Sequence, residues 1–226
     1  MFKSLLNLFY PKVCLGCESL LLTNERIICT SCIHHLPVTR HFEQPENEVS
    51  KRFYGRIQVE HASALFYFHK KGIVQQLIHH LKYKGHEEIG TFLGNWHGEE
   101  LKKIHQAHQF DEIIPVPLHK KRFRERGYNQ LTTFGQTLSK ELNIPYNDSI
   151  LHRDIYAVTQ TKKNLFDRTA DKKTTFGSNF SEKDHGKHFL LIDDVITTGA
   201  TLEACGKVLA SIPNAKVSIV AMAYSH

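Results

Sequence analysis

The chain has 226 residues, 41% hydrophobic and 23% charged, close to an ordinary soluble globular protein, which excludes collagen-like, coiled-coil and wholly disordered chains. That length allows one ordinary domain plus a small module. Lys and Arg exceed Asp and Glu by 29 to 23, a formal net charge of +6. This mild basicity favours an anionic ligand or partner without identifying one.

Residues 1–10 (MFKSLLNLFY) suit one or two apolar helical turns stopped by Pro11. The stretch lacks a full apolar signal region and a small-residue cleavage site. No apolar run approaches the roughly 18–20 residues that cross a bilayer. Neither secretion nor a membrane span is expected. Most of the 16 His are scattered and read as surface residues.

Cys14, Cys17, Cys29 and Cys32 crowd the first 32 residues, and Cys205 stands alone as a core residue of a helix. In a chain without an export signal, paired Cys read as metal ligands rather than disulfides. Two C-x2-C turns deliver four thiolates to one tetrahedral Zn²⁺, and a closed four-Cys site is structural rather than catalytic. The segment has too little apolar area to fold alone. Structural zinc contributes on the order of 10–16 kcal/mol in small peptides. The spacing leaves an iron–sulfur cluster open. A zinc-ribbon-like module over 1–40 is therefore expected, then a polar linker over 41–57 with Pro45 and Gly55.

From 58 to 226 strands alternate with helices. Ala62–Phe68 (ASALFYF) has strand length, and Ile73, Val74, Leu77, Ile78 and Leu81 predict a helix over 70–83 that ends near Gly85. A second helix is predicted over 87–105, a short buried strand around Ile113–Val116, and a helix on Leu131, Phe134, Leu138 and Leu142. Residues 150–187 read as irregular with short strands. FLLI at 189–192 and VSIVAM at 217–222 are buried strands, with a helix from about Gly199 to Ser211 between them. Strands apolar on both faces, alternating with helices, indicate an α/β fold with a central parallel sheet.

The most informative segment is FLLIDDVITTGATLEACGKVL, 189–209. The strand delivers Asp193 and Asp194 to the sheet edge where ligands bind in open α/β folds. Thr197, Thr198, Gly199, Ala200 and Thr201 form a small-residue turn into a helix, whose N–H groups and hydroxyls suit a phosphate. Asp193 and Asp194 then lie where a sugar bearing that phosphate presents its hydroxyls, taken directly or through Mg²⁺.

LLIDDVITTGATL resembles the phosphoribosyl-pyrophosphate (PRPP) signature of type I phosphoribosyltransferases. With the N-terminal Cys pairs, the chain resembles the ComF family of bacterial competence proteins over nearly its whole length. Further matches are LKYKG at 81–85, IPVPLHKKRFRERGYNQL at 114–131, and Gln160, Leu165, Arg168 and Phe176. Where the family usually carries Asn after that Arg, this chain has Asp171.

The resemblance implies PRPP with Mg²⁺ as ligand, and 197–201 as its 5-phosphate loop. It assigns the segment around Lys84 and Gly85 to the pyrophosphate side and makes 153–168 a mobile hood loop, the plain alternative being a disordered surface connection. HKKRFRERGYNQ at 119–130 is read as a basic loop overhanging the same edge. Its Lys120, Lys121, Arg122 and Arg126 are suited to pyrophosphate oxygens, the plain alternative being a solvated charge run. The resemblance further implies a role in DNA uptake during natural transformation, on the cytoplasmic side and peripheral to the inner face of the membrane. A helicase-like or other competence protein is the implied partner. Basicity and the aromatics Tyr83 and Tyr128 allow weak contact with single-stranded DNA. An active phosphoribosyltransferase of salvage or biosynthesis, and a PRPP-sensing module without turnover, stay open. No segment identifies an acceptor.

Overall fold

The computed structural model describes residues 11–155 and 174–225. The expected turns over 1–10, and Gln160, Lys162, Leu165, Arg168 and Asp171 of the hood segment, lie outside the described residues. The N-terminal module is short loops plus helix α1 (Thr30–His34), whose N-cap is the Cys29 sulfur. Leu15, Ile28 and Leu36 are buried with the cysteines, so the module contributes a small apolar cluster as well as thiols.

The polar stretch 41–57 is packed rather than extended. A 3-10 turn (His41–Glu43) leads to α2 (Glu48–Arg52), closed at its start by a reciprocal cap between Asn47 and Ser50. The Asn47 amide also donates to the Ala62 carbonyl at 2.9 Å. Val49 and Phe53 are completely buried. Asn47 and Ser50 are buried as caps, while Glu43, Gln44, Glu46, Glu48 and Lys51 face solvent.

The α/β domain runs β1 (Ala62–Tyr67), α3 (Ile73–Tyr83), α4 (Glu88–His108), β2 (Glu112–Pro115), α5 (Lys120–Arg126), α6 (Thr132–Leu142), β3 (Leu151–Ile155), β4 (Thr174–Ser178), β5 (His188–Ile196), α7 (Ala200–Ala210) and β6 (Lys216–Tyr224). The main sheet has the order β1-β6-β5-β2, parallel throughout. Its central strands read as continuous apolar runs because both faces are covered. β3 and β4 form a separate antiparallel pair.

Neither sheet edge is bare. Thr39 N–H donates to Leu65 O and Tyr67 N–H to Pro37 O beside β1, and Ile113 N–H donates to Pro145 O beside β2. Covered edges do not template pairing with other chains.

Gly90, Gly94 and Gly98 line one face of α4 against α6. A Cβ on Gly94 would sit 2.7 Å from the Thr137 Cβ, and one on Gly98 2.7 Å from the Glu141 Cβ. Only hydrogen fits there, so the two helix backbones approach closely.

Two sequence expectations change. The basic segment is a helix rather than a loop: the His119 ring accepts the Lys121 N–H, and Gly127 ends the helix in the left-handed region at φ 79°. Lys, Arg and Glu between these two caps are good helix formers. Secondly, His41, His61, His97 and His188 are buried. Most have polar partners: His188 donates to the His108 carbonyl and bonds Ser218 Oγ, each at 2.8 Å, and His61 bonds Ser63 Oγ at 2.9 Å. Burial pushes His97 down to about 3 and His61 to about 4. Cys205 is a buried core residue, as expected.

Candidate functional site

β5 runs beyond its apolar core to carry Asp193 and Asp194 at its C-terminal end, and the turn after it starts α7. Gly199 takes φ 75°, a left-handed conformation that only glycine adopts cheaply. A Cβ there would also lie 3.2 Å from the Phe53 ring. Thr197, Thr198, Ala200 and Thr201 are exposed, which leaves the three threonine hydroxyls and the helix start open to a ligand.

The two acids have different surroundings. Asp194 is buried, and both its oxygens are engaged: Lys82 Nζ donates to Oδ1 and Gln130 Nε2 to Oδ2, each at 2.7 Å. Asp193 Oδ1 accepts the Asp194 N–H at 2.8 Å. Among the described residues its Oδ2 has no partner, so this oxygen is the one available to a hydroxyl or cation. Burial, then the neighbouring Asp194 carboxylate, push Asp193 up to about 7, against the pull of Lys82 and Arg122.

The predicted cations divide. Arg122 lies near enough to Asp193 to lower it. Arg126 donates to Gln130 Oε1 at 2.6 Å and stacks over the Tyr83 ring, so it reaches Asp194 through Gln130. Lys120 lines a cleft. Lys121 is 79% exposed and faces Glu125 at 3.9 Å. Lys84 is exposed at the C-cap of α3. Tyr128 is half-buried with its hydroxyl donating to the Leu81 carbonyl, so it is not a free stacking surface; Phe123 on α5 is the exposed aromatic there.

The sequence marks Lys82 only as a weak basic spot with Lys84 and Gln130 only as part of a turn into the next helix; neither is assigned to Asp194. The signal for Lys82 was present: Val74, Ile78 and Lys82 lie four residues apart on one stripe of α3, and the first two are buried. Lys84, two residues on, faces elsewhere.

A cleft of about 650 Å³ is lined by Lys120, Phe123 and Arg124 from α5 and by Leu151, His152 and Arg153 from β3. The Arg153 guanidinium stacks over Phe176 at 5.1 Å, and its buried Nε has no partner among the described residues. Burial and the Arg122 charge push Arg153 down while Asp193 pulls it up. The cleft is lined with donors, and through Arg153 it is within electrostatic reach of Asp193.

The four thiols of Cys14, Cys17, Cys29 and Cys32 lie within 4.8 Å of one another, with Cys14–Cys32 at 3.6 Å and Cys17–Cys29 at 3.7 Å. A tetrahedral ion with metal–sulfur bonds of about 2.3 Å needs sulfurs about 3.8 Å apart, so the set fits one divalent metal. Gly16 and Cys29 N–H groups donate to Cys14 Sγ, and the Cys32 N–H to Cys29 Sγ. These donors stabilise thiolate. Burial and the crowded neighbouring thiols push Cys32 up, a repulsion that a bound cation relieves. No other group of metal-ligating side chains occurs among the described residues.

Together these features define a type I phosphoribosyltransferase-like α/β domain with an N-terminal four-Cys metal module. Residues 132–226 match the phosphoribosyl transferase domain family. The chain is homologous to competence proteins of the ComF and ComFC kind. It is 34% identical to competence protein F of Haemophilus influenzae over 125 residues, which span 55% of each chain. It is 26% identical to competence protein ComFC of Bacillus subtilis over 199 residues, 88% of this chain and 78% of that protein. Among solved structures, a purine phosphoribosyltransferase from Pyrococcus horikoshii is 17% identical with a TM-score of 0.38, covering 59% of this chain and 81% of that one. No helix among the described residues is long and apolar enough to cross a membrane.

Proposed function

We propose that the chain binds PRPP with Mg²⁺ and serves DNA uptake in natural transformation on the cytoplasmic side, peripheral to the membrane's inner face. The observation that carries the ligand is the junction of β5 and α7. There a left-handed Gly199 and exposed threonines adjoin a carboxylate, Asp193, with one oxygen to spare. Thr197–Thr201 hold the 5-phosphate, Asp193 takes ribose hydroxyls, and Asp194 keeps the strand end in place through Lys82 and Gln130. Lys84, Lys120, Lys121, Arg122 and Arg126 supply positive charge on the pyrophosphate side. Asp194 is already engaged by Lys82 and Gln130, so Asp193 is the carboxylate that would hold magnesium, which would supply charge neutralisation there. The metal of the Cys module is zinc: four sulfurs at single-ion spacing suit it better than the wider reach of an iron–sulfur cluster.

The transformation role rests on the competence relatives. The basic helix α5, with Phe123 exposed between Arg122 and Arg124, suits weak, sequence-independent contact with single-stranded DNA. The Cys module is the surface assigned to a helicase-like or other competence partner. DNA affinity should fall with salt at a log–log slope of roughly −0.7 per phosphate contact; a flat response removes the electrostatic part of this reading.

A second reading, an active transferase, is favoured by the donor-lined cleft, whose Arg153 is within electrostatic reach of Asp193. In that reaction the bond from ribose C1 to pyrophosphate breaks, and one from C1 to an acceptor in the cleft forms. Cations of α5 stabilise the departing pyrophosphate.

The test is calorimetric titration of PRPP and Mg²⁺ into the zinc-loaded protein, with the Asp193→Asn, Asp194→Asn double variant as control. Saturable binding lost in the variant supports the ligand. Absence of binding by folded wild type removes it. Pyrophosphate release on screening bases and amines separates the transferase from a binding protein.

A further inference from the structure

The 5-phosphate loop is not held by the α/β domain alone. Arg56, in the segment that joins the Cys module to the domain, reaches across to it. Its Nη1 donates to the Thr198 carbonyl at 2.8 Å and to the Arg52 carbonyl at 3.1 Å, while Nε and Nη2 both donate to Glu203 Oε2 on α7. Beneath the same turn, the Phe53 ring and the Arg52 stem fill the space where a Cβ on Gly199 would stand. Arg52 continues to the Tyr224 hydroxyl at 2.8 Å, and Tyr224 is in register with Ile196, the last residue of β5. Three residues from one short segment thus grip the loop from the side and from below.

We propose that Arg56, backed by Glu203 and Phe53, is a positioning residue for the 5-phosphate loop, an inference that rests on the phosphoribosyl reading above. A trans peptide fixes its N–H opposite its carbonyl. Holding the Thr198 oxygen therefore sets the direction of the Gly199 N–H in the same peptide. The loop is then ordered before the phosphate arrives, and binding does not have to order it. Arg56 is not itself a phosphate ligand: it makes four hydrogen bonds within the protein, and Glu203 balances its charge.

The experiment titrates ribose 5-phosphate and pyrophosphate separately into full-length, zinc-loaded wild type, Arg56→Ala, Arg56→Lys and Glu203→Gln, at two salt concentrations. Arg56→Ala should weaken ribose 5-phosphate by about three- to tenfold, the effect of losing one to two ordinary hydrogen bonds. Pyrophosphate affinity should stay as in wild type. Arg56→Lys should lose part of the same affinity, because one ammonium cannot serve Thr198 and Glu203 together. The salt dependence should match wild type in every variant. Unchanged ribose 5-phosphate affinity in the variants overturns the inference. So does an equal loss for both ligands, which marks general damage, or a changed salt slope, which marks direct charge contact. If Arg56→Ala does not fold, Arg56→Lys and Glu203→Gln carry the same comparison. Wild type that binds neither ligand overturns the phosphoribosyl reading, and this inference with it; wild type that binds beside indifferent variants overturns this inference alone.

Discussion

Lys82→Met tests the internal pair that secures the end of β5. Lys82 Nζ and Asp194 Oδ1 are 2.7 Å apart, with side chains 19% and 10% exposed. Removing one partner of a buried ion pair costs about 3–5 kcal/mol, because the other charge is left uncompensated. Here Gln130 still donates to Oδ2 and water has some access from the Lys82 side, so about 2–3 kcal/mol is expected. That is a large share of a typical domain stability of about 5–15 kcal/mol. The assay is urea unfolding at pH 7 in zinc-replete buffer, read by the single tryptophan, Trp96, which packs edge-on to Phe66 in the core. A cycle with Asp194→Asn isolates the pair. The double variant should be more stable than the two single losses predict, with a coupling of about 1–3 kcal/mol. Loss of Lys82 also removes one of the cations that hold Asp193 down, so Asp193 should move further up and any PRPP binding should shift to higher pH. A cost below about 0.5 kcal/mol with no coupling to Asp194 would refute the reasoning, since that is how a solvent-screened surface pair behaves.

Other consequences follow from the packing and the buried histidines. Gly94→Ala should lower stability by about 1–3 kcal/mol through overpacking, because the added Cβ meets Thr137 Cβ at 2.7 Å; a thermal midpoint equal to wild type would contradict the close approach of α4 and α6. His61 and His97 stay neutral in the fold, at about 4 and about 3, while the unfolded chain takes protons from about pH 6.5 downward. The unfolded state then binds more protons, so stability falls on acidification below about pH 6.5, by up to about 1.4 kcal/mol per pH unit for each His. Urea midpoints at pH 7.5 and 5.0 measure the loss, and His97→Gln should flatten it. Metal analysis should find one zinc per chain, and its removal by chelation should unfold the Cys module; full retention of structure after complete removal would contradict a structural metal.

The parallel sheet was legible because β5 and β6 are continuous apolar runs, and α3 because Val74, Leu77, Ile78 and Leu81 repeat at helical spacing. The Cys set and the left-handed turn at Gly199 were legible as well, since local spacing fixes both. What sequence concealed was long-range. Lys82 and Gln130 meet at Asp194 from segments 112 and 64 residues away, and no local pattern announces that meeting. Residues 41–57 looked like a linker because Asn47, Ser50 and Arg56 are polar, yet each spends its polarity on backbone or carboxylate partners inside the fold. Charge density disguised α5, whose two caps, His119 and Gly127, were visible but outweighed by its basic run. The buried histidines misled for a related reason: a neutral imidazole with a serine or carbonyl partner is at home in a core.

The Cys module and the Asp193–Asp194 strand end are mechanically joined, and this bears on how their roles can be separated. A Cβ on Gly16 would stand 2.9 Å from Ile73 at the start of α3, so the module's first Cys turn is seated on that helix. The far end of α3 carries Lys82 to Asp194. A second connection runs through Val38, bridged to Phe66 of β1, into α2 and on to Arg56 at Thr198. Deleting residues 1–40 would strip the Thr39 N–H from Leu65 O and expose the β1 edge along with the thiols. Loss of PRPP binding after that cut would therefore not distinguish a scaffold from a partner-binding module. Replacing exposed module residues does distinguish them: Leu20 and Leu22 are 66% and 68% exposed, so Leu20→Ser with Leu22→Ser alters the outer face while the metal, the β1 edge and both connections stay in place. Partner binding lost with PRPP binding kept assigns that face to the partner. Both kept returns the module to the role its packing already supports, a metal-tied brace beneath α3.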